Sequence, residues 1–193
     1  MAYTTKKVWA VGDILTAADM NTYVGDNIAQ IAAVPLILVP QAAVLPPTNA
    51  PTIAFTNSGS AFYELKYADA ANTSCFWTMI VPDNLAGNGT IDFDIIWRTP
   101  TAVASETARW EIKTAASAMS NPYNPATVSR GTVDSDAKGT TNHLIKATVT
   151  WLVPGLIAGD LFIVELLRQG THANDDLTDD AYLRMMTVVL NPI

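Results

Sequence analysis

The stretch TIDFDIIWR, within Thr90 to Arg98, sets Ile91, Phe93, Ile95 and Trp97 on one side of an extended chain and Asp92 and Asp94 on the other. A period of two is the pattern of a half-buried β-strand, and it recurs along the chain. TARWEIK turns Ala108, Trp110 and Ile112 inward, and HLIKATVTW does the same with Ile145, Ala147, Val149 and Trp151. Adding AFYELKYA, CFWTMIV, a weaker run near Ala126 to Val133, DLFIVELLR and AYLRMMTVVL gives about eight strands between Ile53 and Ile193. The intervening PDNLAGNG, SNPYNP, DSDAKG and PGLIAGD are rich in Gly, Asn, Asp and Pro, which supply tight backbone angles. No helix-length periodic segment interrupts the series. The expected fold is mainly β: an antiparallel β-sandwich of jelly-roll type over residues 53–193, with an immunoglobulin-like sandwich as the second choice.

Two different segments come first. Thr16 stands before Ala17, Ala18 and Asp19, the spacing of a helix N-cap with an acid at its third position. Met20, Tyr23, Val24, Ile28 and Ile31 then recur at steps of three and four, predicting one helix with an apolar stripe inside residues 1–33. A lone helix of this length is marginal in water, so the stripe needs a partner surface. Residues 34–52 carry prolines at positions 35, 40, 46, 47 and 51, which disfavour helix and central strand and leave an extended arm. Leu36, Ile37, Leu38 and Val39 between them argue for an arm laid along protein.

Composition narrows the function. Charged residues make up 15% of the 193, below the ~25% usual for soluble proteins, so part of the surface is uncharged. The net charge of −7 and scattered basic residues leave no positive stripe for nucleic acid. Cys75 is the only cysteine, which excludes an internal disulfide and a cysteine zinc site, and its apolar setting predicts a buried thiol. No run approaches the ~18 residues of a membrane-spanning helix, and the N-terminus lacks the apolar stretch of a secretion signal. His143 and His172 are the only histidines, with no Gly-x-Ser-x-Gly elbow and no His-x-x-x-His pair. The expectation is a protein that is not an enzyme and needs no metal or cofactor.

Four features invite more than one reading. HANDDLTDDAY holds Asp175, Asp176, Asp179 and Asp180, which suit either calcium or a turn whose carboxylates cap backbone amides; ordinary turn chemistry favours the latter. Asp92, Asp94 and Glu111 could supply a glycosidase carboxylate pair, but they alternate with core residues and read as an outer face. Trp77, Trp97, Trp110 and Trp151 lie on strands and read as core before sugar-binding platforms. In DLFIVELLR, Phe162, Val164 and Leu166 face one way while Leu161, Ile163 and Leu167 face the other. Such a two-sided strand is either central and covered by a loop or the arm, or it is an oligomer interface.

VWAVGDILTAADMNTYVGDNI, from Val8 to Ile28, resembles the opening segment of many tailed-bacteriophage virion proteins, and AGDLFIVELLRQGTHANDDLTDDAYL is similar to the last strands of β-sandwich modules in phage structural proteins. The resemblance implies a virion component, located on the particle, that docks to other virion proteins through its N-terminal segment and projects its sandwich as a homotrimer. Trp9, Met20, Tyr23, Val24 and Ile28 are then the docking residues, and Leu161, Ile163 and Leu167 the oligomer interface. No long shaft repeat is present, which points to a short capsid or tail appendage or a decoration protein. The alternative is a receptor- or carbohydrate-binding sandwich of a tail fibre, with a host glycan as partner.

Overall fold

The computed structural model describes residues 35–57, 61–82, 87–120 and 126–192. The N-terminal helix and its docking residues Trp9, Met20, Tyr23, Val24 and Ile28 lie outside them.

Among the described residues, ten strands form two antiparallel sheets. They are β1 (Leu36–Leu38), β2 (Thr52–Asn57), β3 (Ala61–Tyr67), β4 (Asn72–Ile80), β5 (Gly87–Arg98), β6 (Ala104–Ser117), β7 (Val128–Lys138), β8 (Ile145–Leu156), β9 (Leu161–Gln169) and β10 (Ala181–Pro192). One sheet runs β2-β3-β10-β5-β8 with β1 also on β10, and the other runs β4-β9-β6-β7. The strands read from the sequence correspond to β3 through β10, and these interleave between the sheets in jelly-roll order.

The period-two residues do what the alternation demands. Ile91, Phe93, Ile95 and Trp97 are fully buried between the sheets, as are Ala108, Trp110 and Ile112. Trp110 packs edge-on against Tyr67 at 5.1 Å and Trp97 at 5.9 Å between ring centroids, an arrangement aromatic quadrupoles favour. Trp97 Nε1 donates to Ser135 Oγ at 3.0 Å, and Ser135 belongs to a strand. DSDAKG, read as a turn, is therefore mostly the end of β7, its small polar residues placed on an edge strand.

The proline-punctuated arm is laid along the sandwich. β1 pairs with β10 from Leu36↔Val188 to Leu38↔Met186, and a single 3-10 turn, Pro40–Ala42, follows. Val39 O accepts from Trp77 Nε1 at 3.0 Å, and Val44 exchanges both backbone hydrogen bonds with Phe76 on β4. The arm thus crosses from one sheet to the free edge of the other, satisfying backbone groups that an open edge would expose. β1 takes the place beside β10 that the distal half of β3 would otherwise occupy, so the β2–β3 hairpin peels away. Phe55 and Tyr63, paired across it at 4.8 Å between rings, are left exposed.

The registers make the two ends of the sandwich unlike. At one end Gly87 faces Leu156, Gly89 faces Pro192, and Ile80, Leu161 and Ser117 form the last row of the smaller sheet. Exposed Ile80, Met119, Val128 and Ile157 lie on or beside these strand ends, and residue 35 enters here next to Leu36. At the other end, the loops after β3, β5, β7 and β9 form a hydrogen-bonded polar cap, although Leu144 there is also exposed.

β9 is the central strand that its two apolar faces suggest, flanked by β4 and β6. Its outward Ile163 is only 7% exposed, opposite Thr78 on β4 and Ala115 on β6, while Leu161 and Leu167 are half-buried. β1 does not cover this face, because it pairs with β10 in the other sheet. Thr127, just before β7, does reach it, donating to Glu165 Oε2 at 2.7 Å.

Cys75 is buried as expected, with its Sγ 2.9 Å from the Tyr67 hydroxyl, and burial pushes its thiol up to about 12. Its folded value exceeds the ~8.5 of an unfolded thiol, so its contribution to stability is complete below that pH and falls as pH rises towards the folded value. Native protein at pH 8 is expected to resist thiol alkylation, with rapid labelling in denaturant; equal labelling rates in both states would contradict the burial.

Candidate functional site

The acidic loop is built around an arginine. Phe162, Val164, Leu166 and Arg168 follow one another on the inward face of β9, and the Arg168–Asp175 ion pair has both side chains fully buried. Arg168 Nη2 and Nε donate to the two oxygens of Asp175 at 2.8 and 3.1 Å. Its remaining donors reach the carbonyls of Tyr67, Leu177 and Asp179 at 2.9 to 3.1 Å. Asp175 also accepts from Arg109 N at 2.9 Å, and Asp176 from Thr107 N at 2.6 Å. Asp179 accepts from the Thr101 hydroxyl, and Asp180 pairs with Lys66 at 2.7 Å. Each of the four carboxylates therefore has a protein partner, two of them capping backbone amides as turn chemistry predicts. Among the described residues no cluster of three or more His, Cys, Asp or Glu could hold a metal ion.

Gly170 closes this end. A Cβ there would lie 2.7 Å from Ala71 O and closer still to Asp69 O, so the β3–β4 turn would have to move. Gly170→Ala is expected to destabilise the protein by about 1–3 kcal/mol through overpacking against backbone. Urea unfolding checks this; an unchanged midpoint would contradict it.

The carboxylates proposed for glycoside hydrolysis are on outer faces. Asp94 accepts from Lys146 Nζ at 2.7 Å and Thr148 Oγ1 at 2.6 Å, and Asp92 from Thr150 Oγ1 at 2.5 Å and Asn191 Nδ2 at 2.8 Å. Glu111 lies on the other sheet, accepting from Gln169 Nε2 at 2.6 Å. The structure does not bring the three together across a cleft.

A groove opens instead on the side of the sandwich where edge strand β8 meets β6 and β7. Its volume is about 410 Å³, and Thr114, Ala116, Arg130, Trp151, Leu152 and Leu156 line it with Gly155. Trp151 is the one half-buried tryptophan among the described residues, Trp77, Trp97 and Trp110 being buried. The Arg130 guanidinium lies 4.3 Å above the Trp151 ring centroid, and its Nε donates to Thr114 Oγ1 at 2.7 Å. Leu152, two-thirds exposed, provides an apolar lip. The sequence already showed Trp151 as the last inward residue of its strand. Arg130 and Thr114 gave no signal, because only the sheet-to-sheet approach of β7 and β8 brings them to it.

The described residues thus define a class: a jelly-roll β-sandwich with an amphipathic side groove and a hydrogen-bonded polar end. No protein-family model and no curated protein matches the chain. Solved structures do resemble it in fold. The CBM36-1 domain of a multidomain xylanase from the hindgut metagenome of Trinervitermes trinervoides is 13% identical, with a TM-score of 0.48, over 83% of this chain and 100% of that one. A family 35 carbohydrate binding module from an environmental isolate is 14% identical, with a TM-score of 0.48, over 82% and 97%. The module CBM6cm-2 from Cellvibrio mixtus lichenase 5A, in complex with cellotriose, is 11% identical, with a TM-score of 0.47, over 81% and 98%. Fold likeness at this distance does not bring function with it.

Proposed function

We propose that this chain is a non-catalytic binding protein whose sandwich takes a carbohydrate in the groove beside Trp151. The lining of that groove carries the reading. Exposed Leu152 and the part of Trp151 that Arg130 leaves open offer apolar surface to the C–H groups of a sugar ring, and the Nη groups of Arg130 offer hydrogen bonds to its oxygens, the mix that small-molecule sites use for affinity and orientation.

A second reading, a structural appendage of a bacteriophage particle, is supported by the resemblance of residues 8–28. It also draws on the apolar rim at the end where residue 35 enters, where Ile80, Met119 and Ile157 are exposed. In that reading another virion protein covers the rim, Trp9 and Tyr23 anchor the chain, and the sandwich is presented as a homotrimer. The two readings are compatible, since a particle can display a glycan-binding sandwich.

Leu152→Asp is expected to weaken saccharide binding about tenfold, or 1.4 kcal/mol, without lowering the melting temperature, because Leu152 is exposed. Tyr23→Asp is expected to remove the protein from particles and to leave saccharide binding intact. Glycan-array screening followed by calorimetry on the full chain checks the first reading; absence of binding to any saccharide would overturn it.

A further inference from the structure

We infer that the groove selects saccharides carrying an oxyanion, a carboxylate or a sulfate, through the fork of Arg130. The inference rests on the carbohydrate reading above and names the ligand class for the same site.

Three other arginines show what this chain does with a guanidinium when the purpose is structural. Arg98 pairs with Glu64, Arg109 with Asp134 and Arg168 with Asp175. Arg130 forms no ion pair among the described residues, and its one hydrogen bond there uses Nε. Both Nη groups are therefore without a hydrogen-bond partner among the described residues, on a side chain that lines the groove.

The guanidinium is nevertheless held in place. Trp151 supports it from below at 4.3 Å, and Thr114, itself only 1% exposed, takes the Nε proton. A stacked, hydrogen-bonded guanidinium has little rotamer freedom left to lose, so its two Nη donors are preorganised as a planar fork. That geometry matches the paired oxygens of a carboxylate or sulfate better than it matches separate hydroxyls. The net charge of −7 means that the chain's long-range field repels anions. An anionic ligand is then chosen by this local fork, without electrostatic steering.

The test is isothermal titration of the full chain with three probes: a uronic acid oligosaccharide, a sulfated oligosaccharide and a neutral xylo-oligosaccharide. At least one acidic probe is expected to bind about tenfold or more tightly than the neutral one, with the two acidic arms distinguishing carboxylate from sulfate. Arg130→Gln is expected to abolish that preference, bringing acidic binding down to the level of neutral binding, whereas Arg130→Lys keeps part of it. Neutral binding equal to acidic binding would overturn the inference while leaving the groove reading in place. Failure of all three probes to bind would overturn the inference, and absence of binding to any saccharide on the array would overturn the groove reading with it. The preference of the unmodified chain decides the matter even if a variant folds poorly.

Discussion

Arg168→Met is expected to lower stability by about 3–5 kcal/mol, and the melting temperature by roughly 6–20 °C for a chain of this length. The substitution keeps most of the aliphatic stem but leaves the Asp175 carboxylate buried without its counter-charge. It also strips the carbonyls of Tyr67, Leu177 and Asp179 of their donors. The effect spreads because those groups belong to β3, the acidic loop and the approach to β10, so one guanidinium ties the smaller sheet to the larger at the polar end. Arg168→Lys is expected to recover only part of the loss, since an ammonium cannot meet Asp175 bidentately and three carbonyls as well. Calorimetry checks both variants; a melting temperature for Arg168→Met within about 2 °C of the unmodified protein would show that the network is dispensable.

Ile163→Asp is expected to cost a comparable amount, because it removes a packed aliphatic side chain and places an unpaired carboxylate where Ile163 is only 7% exposed. Across the strands it faces Thr78 and Ala115, neither of which can neutralise the charge. Were Ile163 part of an oligomer interface, as the resemblance implies, the same replacement would separate subunits and leave the sandwich folded; its burial within one chain favours the packed strand. Sedimentation and thermal melting together separate the two: dissociation with an unchanged melting temperature would favour the interface, and loss of folding would favour the packed strand.

The contrast between Ile163 and Ile95 shows what was legible in the sequence. Ile95 alternates with Asp94 on a strand polar on its other side, so period two fixes its direction. In LFIVELLR both phases are apolar, and alternation says only that the strand is central. The buried ends of patterns are harder still. Arg168 continues the inward phase of Phe162, Val164 and Leu166, a position where an arginine is tolerable only if another segment folds back to supply a carboxylate, and Asp175 does so from the following loop. β7 was half missed for a related reason. Ser135 and Ala137 face inward, but a serine marks a strand interior only once Trp97 is there to donate to it. The groove was legible in one residue, Trp151, and silent in the rest, because Thr114 and Arg130 come from strands that meet β8 across the sandwich and not along it.

Trp151 therefore gives the most direct test of carbohydrate binding in the groove. Its indole N–H, with those of the other tryptophans, is observable by nuclear magnetic resonance in the ¹⁵N-labelled full chain while an oligosaccharide is added. Among Trp77, Trp97, Trp110 and Trp151, the Trp151 signal is predicted to move in a saturable manner, and the signals of the three buried residues to stay fixed. A saccharide that binds while the Trp151 signal stays still would place the site elsewhere on the sandwich and contradict the account.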